Sequence, residues 1–153
     1  MTNEQIIDML KEAEVLLEGH FLLTSGRHSD KYMQCAKIFQ YAKYSEPLCA
    51  ELAKQYKEDN VELVIGPAIG AIQMAYEVGK QLGVKNIFAE REDGKMTLRR
   101  GFTIEKRSAC SNRRGCCYNW GKCCERLWKL VNEAGGKIVG NRFKSFDRTG
   151  GKN

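Results

Sequence analysis

The chain has 153 residues, 42% of them hydrophobic and 29% charged, enough for one domain of ordinary size with a real core. No apolar run approaches the length of a membrane span, and the N-terminal MTNEQIIDMLKEAE is acidic and amphipathic rather than basic then apolar. Neither a membrane span nor a secretory leader is expected, and the composition predicts a soluble cytoplasmic protein with reduced thiols. The net charge of +6 is unevenly held: residues 1–105 carry 13 Lys and Arg against 16 Asp and Glu, whereas residues 106–153 carry 12 against 3. The basicity therefore belongs to the last third, and composition breaks near Lys106.

Thr2 with Gln5 makes a capping box, and Ile6, Ile7, Leu10, Ala13, Leu16 and Leu17 recur at helical spacing, which predicts a first helix ended by Gly19. In HFLLTSGRHSDKYMQCAKIF, the pieces around TSGRHSD predict two short strands joined by a polar turn. Ser45 with Pro47 predicts the start of a second helix, SEPLCAELAKQYKED. A largely β-branched run from Val61 to Ile65 then meets a Gly-Pro turn. A helical pattern through Ala71, Met74, Ala75, Val78 and Leu82 follows, closed by Gly83, and a second apolar run spans Asn86 to Ala89. That order is a βαβ unit, which implies an α/β fold with a parallel sheet and right-handed crossovers.

Gly66, Ala68 and Gly70 are small enough to let backbone N–H groups approach an anion at a helix N-terminus. The same glycines also suit ordinary strand-to-helix turn chemistry, and the spacing alone does not separate the two. REDGKMTLRRGFTIE predicts a polar hairpin turning at Asp93-Gly94, on which Arg91, Lys95, Arg99 and Arg100 either grip phosphates or form a solvated charged face. Further on, ERLWKLVNEAGG predicts a helix with Leu127, Leu130 and Val131 on one face and Gly135 as its stop, and KIVG predicts a short strand.

Between Lys106 and Cys124, the strand and loop that a βαβ series calls for are missing from the text. Five of the seven cysteines fall from Cys110 to Cys124, with pairs at Cys116-Cys117 and Cys123-Cys124 around Tyr118, Asn119 and Trp120. Zinc sites use C-x₂-C spacings, repeated or joined to histidines. None is present, and His20 and His28 lie far upstream, so no metal ligands are assigned. A disulfide framework conflicts with the expected compartment. Arg113, Arg114, Tyr118, Trp120 and Lys122 are the residue types that stack on and neutralise single-stranded nucleic acid, although clustered charge with aromatics is common without that role.

The genetic code offers another reading. Read one nucleotide later, a cysteine codon gives only valine or alanine, and the tryptophan codon gives glycine. Permitted codons for residues 107–125 then include a choice that encodes EARVVTEEDVVTTGGSVVR: an apolar strand, a run of acids, and Thr-Thr-Gly-Gly-Ser entering a helix.

That hidden string resembles the phosphoribosyl-diphosphate loop of type I phosphoribosyltransferases. LLTSGRHSDKY, VIGPAIGAI, FAEREDGKMTLRRGF, EAGGKIVG and DRTGGK together resemble bacterial orotate phosphoribosyltransferases, over residues 1–106, about 129–140 and 147–152. The resemblance implies a five-stranded parallel sheet flanked by helices, a small N-terminal hood, a homodimer and Mg²⁺. It implies a glycosyltransferase that joins orotate to 5-phosphoribosyl 1-diphosphate, giving orotidine 5′-monophosphate and pyrophosphate in pyrimidine biosynthesis. It places Lys95 and Arg91 on a mobile catalytic hairpin that binds diphosphate, and Arg148 of DRTGG on the orotate carboxylate. Ser25, Gly26 and Arg27 fall in the hood turn near orotate, and Gly66, Pro67, Ala68, Ile69 and Gly70 in the loop that contacts pyrophosphate.

The departure from the family pattern is severe. Residues 114–122 read RGCCYNWGK, without the family's paired acids, and none of these nine inherits a role; NRFKSF at 141–146 also departs. The expected organisation is a single phosphoribosyltransferase domain over residues 1–153, C-terminally truncated, with residues 107–128 anomalous. SACSNRR is no substitute for a buried apolar strand, so the sheet is expected to lack that strand and to be destabilised. As written, the chain is expected to have negligible transferase activity. The alternative is a catalytically dead phosphoribosyltransferase fold serving as a binding module, its basic tail contacting nucleic acid.

Overall fold

The computed structural model describes residues 1–23, 26–105, 114–117 and 123–136, with backbone only at 114–117, 123–125 and 128. The chain divides into two compact units, Met1–Leu52 and Ala53–Asn153.

In the first unit, helix α1 (Asn3–Glu12) opens on the expected capping box. The Thr2 hydroxyl accepts from the Gln5 N–H at 3.2 Å, and the Gln5 side chain accepts from the Thr2 N–H at 2.9 Å. The helix does not run to Gly19. It stops at Glu12, Glu14 turns left-handed at φ 51°, and Leu16 and Leu17 lie in strand β1 (Leu16–Leu22). The stop is a Schellman turn: the Val15 N–H donates to Leu10 O and the Glu14 N–H to Lys11 O. Val15 is fully buried in a cluster with Ala13, Cys35 and Tyr44, and Leu10 packs against it, so burial outweighs helical continuation. Strand β1 pairs antiparallel with β2 (His28–Met33), the two strands expected around TSGRHSD. Helix α2 (Ala42–Lys54) starts three residues before Ser45 and holds Pro47 inside. Its first turn is set by Tyr41, whose carbonyl accepts from the N–H groups of Tyr44 and Ser45.

In the second unit, β3 (Val61–Pro67), α3 (Ile72–Leu82) and β4 (Lys85–Glu92) form the expected βαβ unit, with β3 and β4 parallel. Strand β4 turns at Asp93 and Gly94, both at positive φ, into antiparallel β5 (Lys95–Thr97). This is the two-residue hairpin that an Asp-Gly pair favours. The sheet order is β5-β4-β3-β6, where β6 (Arg114–Cys117) pairs parallel with β3.

Strand β6 corrects the expectation that no strand would form between Lys106 and Cys124. Ladder pairing is made by backbone groups, and those of β3 facing this side need partners whatever side chains the neighbour carries. The sheet is thus mixed rather than wholly parallel, with β5 as its antiparallel edge. KIVG lies outside the described residues.

Helices cover both faces. Val64 and Ile65 are both buried and, as neighbours in a strand, point to opposite sides. On the Ile65 side, α4 (Cys123–Glu133) contributes Leu127 and Val131 to a cluster with Ile87, Ala89 and Met96. On the other side, α3 contributes Ala75, Val78 and Gly79. Among the described residues, no helix is long and apolar enough to cross a membrane.

Two outcomes follow from this packing. Leu127 is fully buried, so Leu127→Ala should cost about 2–5 kcal/mol in urea unfolding of the chain. Burial pushes the Cys35 thiol up to about 11 from 9.0. The folded state then keeps a proton that the unfolded state gives up, so stability is fully present below pH 9 and falls as pH rises towards 11. In a Cys35→Ala variant, chemical denaturation at pH 8 and pH 10.5 should show a smaller fall than in the parent.

Candidate functional site

The parallel strands β3 and β4 direct their carboxyl ends to one edge of the sheet, the edge at which open α/β sheets bind ligands. Two expected site segments leave from there. Residues 66–70 run from the end of β3 to α3, and the Ala68 N–H donates to Ala89 O of β4 at 2.7 Å. Residues 90–97 continue β4 into the hairpin. The loop and the base of the hairpin are therefore in direct backbone contact.

The loop's small residues have different physical reasons. A Cβ on Gly66 would lie 2.5 Å from Ala71 O and 3.1 Å from the Ala75 Cβ, so glycine is what lets β3 end against the start of α3. At Gly70 a Cβ would meet nothing within 4 Å. The Ala68-Ile69 peptide is cis, and Ile69 is 86% exposed. No side chain caps α3 at Ala71; the Ala71 and Ile72 N–H groups donate to Pro67 O and Ile69 O of the loop, and the positive end of the helix lies beside it, a place suited to an anion.

On the hairpin, the four basic side chains are not equivalent. Arg100 donates from Nε to Glu90 Oε2 at 3.1 Å and from Nη2 to Glu90 Oε1 at 3.0 Å. Its guanidinium lies 5.9 Å from the Phe88 ring, which meets Phe102 edge-on at 5.2 Å. Arg99 Nη1 lies 3.7 Å from Glu92 Oε1. These arginines staple the hairpin to its own strand. Lys95 is exposed and makes no ion pair among the described residues; Arg91 is exposed and opposite Met96. Sequence reasoning grouped the four cations and missed Glu90, Phe88 and Phe102 as the scaffold that occupies Arg100. The signal was the opposite charge ten residues away, which only the hairpin register brings close.

In the other unit, Gly26 turns at φ 78°, the Gly26 N–H donates to Leu23 O, and Arg27 O accepts from the Leu23 N–H. Arg27 is exposed. Ser25 and Arg148 lie outside the described residues, as does most of the basic segment. The structure thus brings together Gly66, Pro67, Ala68, Ile69 and Gly70 with the hairpin of Arg91 and Lys95, and holds Gly26 and Arg27 in the separate first unit.

Among the described residues, no three His, Cys, Asp or Glu side chains are grouped to hold a metal ion. Of the hairpin's carboxylates, Glu90 and Glu92 are already paired with arginines, and Asp93 stands at the turn. The described residues therefore offer no carboxylate set that fits Mg²⁺ as a protein-held ion.

No family model matches the chain. It is 47% identical over 140 residues to orotate phosphoribosyltransferase of Caldanaerobacter subterraneus subsp. tengcongensis, covering 92% of this chain and 73% of that protein. It is 54% identical over 106 residues to orotate phosphoribosyltransferase of Caldicellulosiruptor saccharolyticus, covering 69% of this chain but 56% of the relative. The chain thus spans little more than half the length of several curated relatives that it matches. Its fold is similar to the crystal structure of orotate phosphoribosyltransferase from Aeropyrum pernix, with a TM-score of 0.65 and 17% identity over 87% of this chain and 76% of that one.

The contrast between the two loop glycines is testable. Gly66→Ala should destabilise the chain by about 1–3 kcal/mol, because backbone must move. Gly70→Ala, with open space around it, should stay within about 0.5 kcal/mol of the parent. Thermal unfolding of the pair checks both.

Proposed function

We propose that this chain, which belongs to the orotate phosphoribosyltransferase family, derives from an enzyme that transfers phosphoribose from 5-phosphoribosyl 1-diphosphate to orotate. The products are orotidine 5′-monophosphate and pyrophosphate, on the route to pyrimidine nucleotides. The observation that carries the reading is the backbone contact between the 66–70 loop and the hairpin bearing Lys95, at the carboxyl edge of the sheet.

The chemistry explains the demand for such an arrangement. As the bond at ribose C1 breaks, the sugar becomes oxocarbenium-like and the diphosphate gathers charge. Cations and N–H groups fixed in advance around that leaving group lower the barrier, and closing the site keeps water from the donor. Lys95 and Arg91 would supply the cations. The N–H groups of residues 69 and 70, held in place by the Ala68–Ala89 bond, and the positive end of α3 would supply fixed dipoles. Arg148 would fork onto the orotate carboxylate, with Ser25, Gly26 and Arg27 in the turn beside the base. Mg²⁺ enters this reading as an ion held chiefly by the donor's own diphosphate oxygens and water, as is usual for this metal. A cytoplasmic homodimer belongs to the same proposal.

Residues 107–125 are, in this reading, the displaced-register form of the ribose-phosphate loop, and NRFKSF at 141–146 is a second such patch. The chain as written should therefore show negligible formation of orotidine 5′-monophosphate, and the source gene, sequenced and corrected in frame, should restore it. In the restored enzyme, Lys95→Ala should cut kcat by about 10²-fold or more with an unchanged far-ultraviolet spectrum. Unchanged turnover removes Lys95 from the mechanism, and source codons that encode no such loop in the shifted frame end the displaced-register reading.

A further inference from the structure

We propose that His20 and His28 form a two-imidazole site for a zinc-class divalent cation on the β1–β2 hairpin, independent of the transferase reading. His20 Nε2 lies 2.6 Å from His28 Nδ1, with ring centroids 4.7 Å apart and planes tilted by 13°, so the two rings meet nearly edge to edge. The hairpin produces this meeting. Leu22 is opposite His28, and the register shifts between Glu18 and Phe21, so His20 becomes the diagonal neighbour of His28 on one face. Both residues are exposed.

At that separation one nitrogen carries a proton and donates to the lone pair of the other. On cation binding that proton moves to the other nitrogen of its own ring, so that His20 Nε2 and His28 Nδ1 both offer lone pairs as neutral imidazoles. Two nitrogens on a tetrahedral zinc at about 2.0–2.1 Å stand roughly 3.3 Å apart, so the rings need to part by under an ångström. Exposed side chains on a hairpin surface make that adjustment by small χ rotations. Remaining coordination positions are left to water or a carboxylate from solution. Imidazole suits zinc, nickel and copper, whereas Mg²⁺ keeps oxygen ligands in an octahedron. The site is thus chemically separate from any Mg²⁺ that accompanies a diphosphate.

The chain contains only two histidines, so long-range ¹H–¹⁵N spectra of the full chain resolve four ring nitrogens. Zinc chloride should shift His20 Nε2 and His28 Nδ1 together, with one common saturation point. Magnesium chloride should move none of the four. His20→Asn and His28→Asn should each weaken zinc binding at the remaining ring at least tenfold. Reading nitrogens keeps zinc taken up by cysteine thiolates from counting as support. A parent chain in which no ring nitrogen shifts with zinc, or in which only one ring responds, overturns the site, as does an undiminished response in either variant.

Discussion

The closing contact of β3 is the constraint on which the second unit depends. Gly66 lets the strand end against Ala71 and Ala75 of α3, and the Ala68 N–H then reaches Ala89 O. A side chain at residue 66 would push the helix away from the strand, and the loop would no longer touch β4. The same approach appears at Gly79, where a Cβ would lie 2.9 Å from the Asn86 Cβ. Two glycines thus hold α3 close to β3 and β4, and the anion-suited loop is a consequence of that packing rather than an addition to it.

Charge is arranged on the hairpin with a similar economy. A bidentate Arg100–Glu90 pair, partly exposed, contributes modestly to stability, yet its planar fork fixes direction. Stacked near Phe88 and Phe102, it anchors the root of the hairpin while leaving the cation nearest the turn, Lys95, in solvent. The hairpin thus has a rigid root and a charged residue beside its turn that is uncommitted among the described residues. Arg99 and Arg100, equal to Lys95 in a count of charges, are spoken for by carboxylates that arrive only when the hairpin closes.

Helix ends show where local text suffices. Helices α3 and α4 stop in left-handed turns at Gly83 and Gly135, and both stops are legible because glycine adopts positive φ without strain. Helix α1 makes the same turn with Glu14, a residue that carries no such signal, whereas Gly19, which resembles a stop, lies within β1. What ends α1 is the burial of Val15 beside Cys35 and Tyr44, residues remote in sequence. The start of α2 is hidden for a related reason: Ser45 and Pro47 look like a beginning, but the carbonyl of Tyr41 already accepts the first N–H bonds.

The amino-acid sequence alone determined the βαβ unit, the Asp93-Gly94 hairpin, the apolar face of α4 and the family to which the chain belongs, because each is written in periodicity, turn residues or motifs within a short window. Tertiary structure decided which cations are committed to carboxylates, why Gly66 must be glycine while Gly70 need not be, that His20 meets His28, and that Arg114–Cys117 pairs with β3. Those facts depend on distances between residues remote in the chain. Such distances are set by strand register and by the approach of helix to sheet, and no local pattern encodes them.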